Sequence, residues 1–289
     1  MAEAPIIPCK ATDGWRQVVE EYARALEAAG PTIGSHGMTP AEFEEAGLFK
    51  SAIERLRGQQ AASLKKKQSF IDAVLTFMQN AGLISKFDFV GGRERHDYEV
   101  YFKGGRLCCI EAKGCLDGNN TNIFKRPGNA DEFVIWSLCQ NPGANPRKNA
   151  WSGINTRLSA EIIARKERVD GLIMWDMLCG TVARPCPKLE KDAARATFLN
   201  GKAAPPPCIY LFPRTIPDAR NNPKPKTWAL KDIHFLRALA EAFKVVEEEV
   251  VAVGIEARME DADVQRKTLY HAGGKMIFEG NWASIRRAS

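Results

Sequence analysis

The chain has 289 residues, 45% of them hydrophobic and 26% charged, with a formal net charge of +6. That composition excludes collagen-like, coiled-coil and wholly disordered chains, and no apolar run approaches the roughly 20 residues of a membrane-crossing helix. The positive excess permits a polyanionic partner without demanding one.

Met1 to Lys10 lacks a basic stretch followed by a long apolar one, so the expectation is a protein with no secretory leader, working in the cytoplasm away from membranes. The eight cysteines include no Cys-x-x-Cys pair, which argues for reduced thiols and against a zinc cage. Basic clusters occur at Lys65-Lys66-Lys67, Lys125-Arg126, Arg147-Lys148, Arg165-Lys166 with Arg168, and Arg286-Arg287.

Periodicity predicts an amphipathic helix over about 12–29, on Trp15, Val18, Val19, Tyr22 and Leu26. A second helix starts with Thr39 as N-cap, Pro40 at the first helical position and Glu42 closing a capping box, and runs to about Arg57. A third spans about 62–81, with Phe70, Ile71, Val74, Leu75 and Met78 on one face and Gly82 as its stop. Strands follow at about 86–90, 96–102 and 106–113, the last two joined at Gly104-Gly105. Cys108 and Cys109 are neighbours on a strand and face opposite ways, which suits buried thiols. The run 131–139 reads as either strand or helix. A helix at about 154–168 and a buried strand at 169–178 come next, with Trp136, Trp151 and Trp175 read as core. Nine of the sixteen prolines fall in 185–225, so that stretch is expected to be irregular or an insertion. A helix over about 230–248 and a short hairpin near 275–282 complete the reading.

The chemistry concentrates at Asp97 and Glu111-Ala112-Lys113. Residues i and i+2 of a strand share a face, so Glu111 and Lys113 project together. Asp97 stands opposite Glu111 only if paired positions sum to 208. That requires a three-residue loop, Lys103-Gly104-Gly105, or an equivalent bulge; a two-residue turn sets Asp97 against Ala112 instead. Two opposed carboxylates suit Mg²⁺, a hard ion that takes oxygen ligands. A lysine beside them suits a water nucleophile or a developing negative charge.

Helix, three antiparallel strands, helix and strand, with Asp97 on the second strand and Glu-x-Lys on the third, resembles the PD-(D/E)XK nuclease superfamily, the fold of most type II restriction endonucleases. The resemblance covers roughly 64–178. It implies an α/β (α+β) core with a central mixed sheet flanked by helices, a helical N-terminal region over 1–63, and additions over 179–289 packed on the core. It further implies Asp97 and Glu111 as metal ligands, joined by the Ala112 carbonyl, and Lys113 as the catalytic lysine. His96 stands where the motif has proline. Asp72, Glu99 and His96 are accessory candidates, and Asn119, Asn120, Asn122, Lys125 and Arg126 are candidate DNA contacts. The expectation is a Mg²⁺-dependent endonuclease of double-stranded DNA, bacterial or phage-encoded, of the type II restriction class that cuts a specific short site; the alternatives are a structure-specific repair, recombination or phage nuclease of the same superfamily, or a non-catalytic DNA-binding protein. As a cutter of both strands it would work as a homodimer.

Overall fold

A computed structural model of the chain describes residues 28–29, 34, 36–46, 64–91, 96–114, 126–139, 154–176, 195 and 197–285. The helix expected at 12–29 lies almost wholly outside them. So do Trp151 and the part of the second helix beyond residue 46. Within them, α1 (Pro40–Glu45) opens with the expected capping box. The Glu42 N–H donates to Thr39 Oγ1 at 3.3 Å, and the Thr39 N–H donates to Glu42 Oε2 at 2.9 Å.

Helix α2 (Leu64–Asn80) forms where its apolar spacing dictates and stops at Gly82, whose φ of 72° is left-handed. Ile71, Val74, Leu75 and Met78 are wholly buried, each burial favouring the fold by about 1.5–3 kcal/mol. They pack on one face of a meander of β1 (Lys86–Phe89), β2 (Tyr98–Tyr101) and β3 (Leu107–Lys113), antiparallel throughout.

The run at 131–139 resolves as a strand, β4 (Glu132–Cys139), parallel to β3. It carries no polar–apolar alternation because both its faces are covered. A π-helical turn at Ile154–Leu158 feeds α3 (Ser159–Arg165), which returns the chain to β5 (Gly171–Asp176), parallel to β4. Trp136 and Trp175 are core residues, their rings stacked 5.6 Å apart.

The proline-rich stretch is more ordered than its composition suggests. It holds a small hairpin, β6 (Thr197–Leu199) and β7 (Lys202–Ala204), and then β8 (Cys208–Leu211), which lies antiparallel against β5 inside the main sheet. The expected helix at 230–248 is interrupted. A single 3₁₀ turn (Leu230–Asp232) precedes α4 (His234–Ala242), and Ile233 between them is extended.

After α4 comes the longest hairpin among the described residues, β9 (Val251–Glu260) with β10 (Asp263–Ala272), which the sequence reading did not anticipate. Of the hairpin expected near 275–282, only β11 (Lys275–Glu279) forms a strand; it pairs with β10, as does the short β12 (Ala283–Ser284) just beyond. The result is one mixed ten-stranded sheet, β1-β2-β3-β4-β5-β8-β9-β10-β11 with β12 beside β10, within an α+β architecture. Residues beyond 179 thus extend the sheet itself. No described helix is long and apolar enough to cross a membrane.

Two apolar layers cover the sheet, one under α2 and α4, the other under the π-helical turn and α3. The first is tied down by Glu132, a buried acid at the start of β4. Its carboxylate accepts the first N–H groups of α4, from His234 at 2.7 Å and Phe235 at 2.9 Å. Those groups have no intrahelical acceptor, and a negative charge suits that end of the helix. Glu132→Ala is expected to lower stability by about 3 kcal/mol, read as a drop in urea midpoint at constant slope.

Candidate active site

The hairpin between β2 and β3 closes as the Asp97–Glu111 pairing requires. The Phe102 N–H donates to the Arg106 carbonyl at 3.0 Å, leaving the three-residue loop Lys103-Gly104-Gly105 with both glycines at positive φ. Tyr98 stands opposite Ile110 and Tyr101 opposite Leu107, so paired positions sum to 208. A side chain at Gly104 or Gly105 would be strained in this backbone.

At the entrance of β2 the register is locally doubled. Tyr98 pairs with Ile110, yet the Asp97 N–H also donates to the Ile110 carbonyl at 2.9 Å. Two successive residues answering to one partner make a bulge. The Ala112 N–H beyond it is taken by the Asp97 carboxylate, Oδ2, at 2.7 Å. Ala112, expected as a carbonyl ligand, therefore meets Asp97 through its N–H. On the other side, the Val90 N–H donates to the Asp97 carbonyl.

Glu111 and Lys113 project from the end of β3 on the face shared with Cys109, as strand alternation demands, and form an ion pair through Glu111 Oε1. Burial pushes the Glu111 carboxyl above its usual range. The Lys113 ammonium opposes that shift, while the negative charge of Asp97 adds to it. Asp97 and Glu111 are thus close enough to repel. Each has one oxygen engaged and one, Asp97 Oδ1 and Glu111 Oε2, with no partner among the described residues. Hard oxygens of this kind fit a divalent cation such as Mg²⁺.

The register places Ser137 beside this group and Asp176 on the same face one strand further away, neither of them a candidate from the sequence. Ser137 on β4 is the cross-strand neighbour of Lys113; it is buried, and its hydroxyl donates to the Gly114 carbonyl at 2.8 Å. Asp176 ends β5 on the same face, two residues beyond Met174. Both lie at the carboxyl ends of parallel strands, where open α/β sheets bind ligands. An acid closing a strand would have been the signal for Asp176; nothing in the sequence marks Ser137.

The accessory candidates go elsewhere. Asp72 lies on the helix side of the sheet, where Oδ1 accepts the Tyr98 hydroxyl at 2.9 Å. Burial first, and this hydrogen bond second, hold the Tyr98 phenol far above its usual range. Glu99 accepts the Tyr101 hydroxyl at 2.5 Å, which together with burial and its own charge pushes the Tyr101 pKa up to about 12. His96 is buried, with Nε2 3.4 Å from Glu99 Oε1.

Arg126 corrects the expectation of a DNA contact. Its guanidinium donates to Asp170 at 2.7 Å and to the Ala130 and Asp131 carbonyls, at the amino ends of β4 and β5, the far end of the sheet from Lys113. Asn119, Asn120, Asn122 and Lys125 lie outside the described residues. Comparison with family models, with curated proteins and with solved structures finds no match to this chain.

Proposed function

We propose that the chain is a Mg²⁺-dependent deoxyribonuclease that hydrolyses phosphodiester bonds in double-stranded DNA, with a PD-(D/E)XK-like catalytic core. The observation that carries the reading is the bulged three-residue-loop hairpin, which brings the Asp97 carboxylate to the end of β3 beside the Glu111–Lys113 pair. Asp97 Oδ1 and Glu111 Oε2 would hold the ion. When bound, Mg²⁺ supplies a more acidic water and offsets charge developing on phosphorus.

The chain's own groups do the rest. Lys113, paired with Glu111 at the end of β3, would offer its ammonium to the scissile phosphate and orient the attacking water. Ser137 fixes the backbone at Gly114, immediately after Lys113. The large additions around one catalytic core suit a site-specific cutter of the type II restriction class, acting as a homodimer so that each strand meets a site.

The test is incubation of the full chain with phage or plasmid DNA, with Mg²⁺ or with EDTA, beside Lys113→Ala. Discrete Mg²⁺-dependent bands are expected, silenced by EDTA and reduced by about 10²–10⁴-fold in the variant. A Mg²⁺-dependent smear instead of bands would keep the nuclease and overturn its site specificity. Cleavage undiminished in Lys113→Ala would overturn the assignment.

A further inference from the structure

Two residues along β3 from Glu111 towards the hairpin loop, on the same face of the sheet, three side chains of a different kind converge. Glu99 and Cys109 are direct cross-strand partners, and His96 folds back over them from the bulge. One donor atom from each of His96, Glu99 and Cys109 lies within 4.8 Å of the other two. His96 is 3% exposed and Cys109 is completely buried. Among the described residues His96 Nδ1 is enclosed with no hydrogen-bond partner, and Nε2 has the long 3.4 Å contact with Glu99 Oε1. An enclosed imidazole nitrogen without a partner costs about 1–3 kcal/mol, a cost that coordination through that nitrogen would remove.

We infer that His96, Glu99 and Cys109 form a site for a borderline transition-metal ion of the Zn²⁺ class, separate from the Asp97–Glu111 pair. The donor set decides the class. Thiolate and imidazole select Zn²⁺ or a similar ion, whereas Mg²⁺ takes oxygen ligands almost alone. Bonds of about 2.0–2.3 Å to tetrahedral zinc set ligand atoms roughly 3.3–3.8 Å apart, so the present spacing must contract by about 1 Å. Three protein ligands leave a fourth position to water. The Tyr101 hydroxyl, donating to Glu99 Oε2 at 2.5 Å, orients that carboxylate from outside the coordination sphere. On binding, the Cys109 thiol gives its proton to solvent and ligates as thiolate. Sequence spacing argued against a zinc cage because it looks for ligand pairs close along the chain. Here the cysteine arrives from the neighbouring strand through the hairpin register.

The experiment is a Co²⁺ titration of the full chain, metal-free and without DNA, read by absorption. This readout is independent of nuclease activity. Expected are tetrahedral d–d bands and a sulfur-to-cobalt charge-transfer band. Zn²⁺ should displace both and excess Mg²⁺ neither. Cys109→Ser should lose the charge-transfer band, and His96→Gln should weaken Co²⁺ affinity at least about tenfold. Asp97→Asn and Glu111→Gln should retain both features. Circular dichroism establishes that each variant is folded, and His96→Gln serves if Cys109→Ser is not. Absence of the charge-transfer band in the folded natural chain would overturn the site, as would its survival in folded Cys109→Ser. Unchanged affinity in folded His96→Gln, or displacement by Mg²⁺, would do the same.

Discussion

Glu111→Gln is expected to reduce Mg²⁺-dependent cleavage by at least about 10³-fold while leaving the metal-free protein as stable as the parent, or more so, at neutral pH. The loss of activity follows from removing a ligand charge. The gain in stability follows from the raised Glu111 pKa, whose first cause is burial. A carboxyl that holds its proton more tightly folded than unfolded stabilises the fold fully below its unfolded pKa. That contribution is lost as pH rises through the folded pKa. Glutamine mimics the protonated form at every pH, so the parent's loss across the acid range should flatten in the variant. Differential scanning calorimetry of both proteins, in EDTA, from acid to neutral pH checks it. A lower melting temperature for the variant at neutral pH would mean that the Lys113 ion pair outweighs burial.

The largest expected loss of stability belongs to Asp170→Ala, at about 3–5 kcal/mol. Asp170 is buried where β4, β5 and β8 meet. Its Oδ2 accepts from Arg126 at 2.7 Å and from the Phe133 N–H at 2.8 Å, and Arg168 Nε lies 3.0 Å from Oδ1. Its own N–H donates to the Phe133 carbonyl, and its carbonyl accepts from Phe212. Truncation leaves the Arg126 charge only two backbone carbonyls and orphans a buried amide. Asp170→Asn keeps an acceptor for Phe133 and should lose less. Urea unfolding of the pair separates the two contributions: equal losses would mean that charge, not the amide, carries the cost.

How much of this was legible in the sequence depends on how local each determinant is. The glycines named two possible loops and only the backbone chose the three-residue one, while the bulge that sets Asp97 on the Ile110 carbonyl and the Ala112 N–H had no local signal. Helix α2 was legible, since four buried side chains at helical spacing admit one face. The break at Ile233 was not. The acceptor for the first N–H groups of α4 is Glu132, about a hundred residues earlier, and no local cap announces it. Strand β8 hid among prolines. The β9–β10 hairpin carried a signal that went unread: Val251, Val253, Ile255 and Ala257 alternate inward along β9. Asp72 was misdirected because helical position says which face a residue occupies and nothing of a tyrosine reaching up to it. His96, Glu99 and Cys109 required the fold itself, since only register and the bulge bring them together.

The hairpin of β9 and β10 pairs along nine positions, yet it joins β8 through two, Tyr210 with Val251 and Leu211 with Ala252. Continuity of the backbone ladder is therefore weakest in the middle of the sheet. The two halves are also joined by side chains beneath the seam, where Val251, Val253, Ile255 and Tyr270 share a cluster with Leu172, Tyr210 and Phe212, and by the Ala257 N–H donating to the Pro223 carbonyl at 2.9 Å. Apolar packing is non-directional, so it resists separation of the halves far more than it resists twisting. The short β8–β9 ladder is thus the place where shear between the terminal ribbon and the strands that carry Asp97 and Glu111 would meet the least backbone resistance.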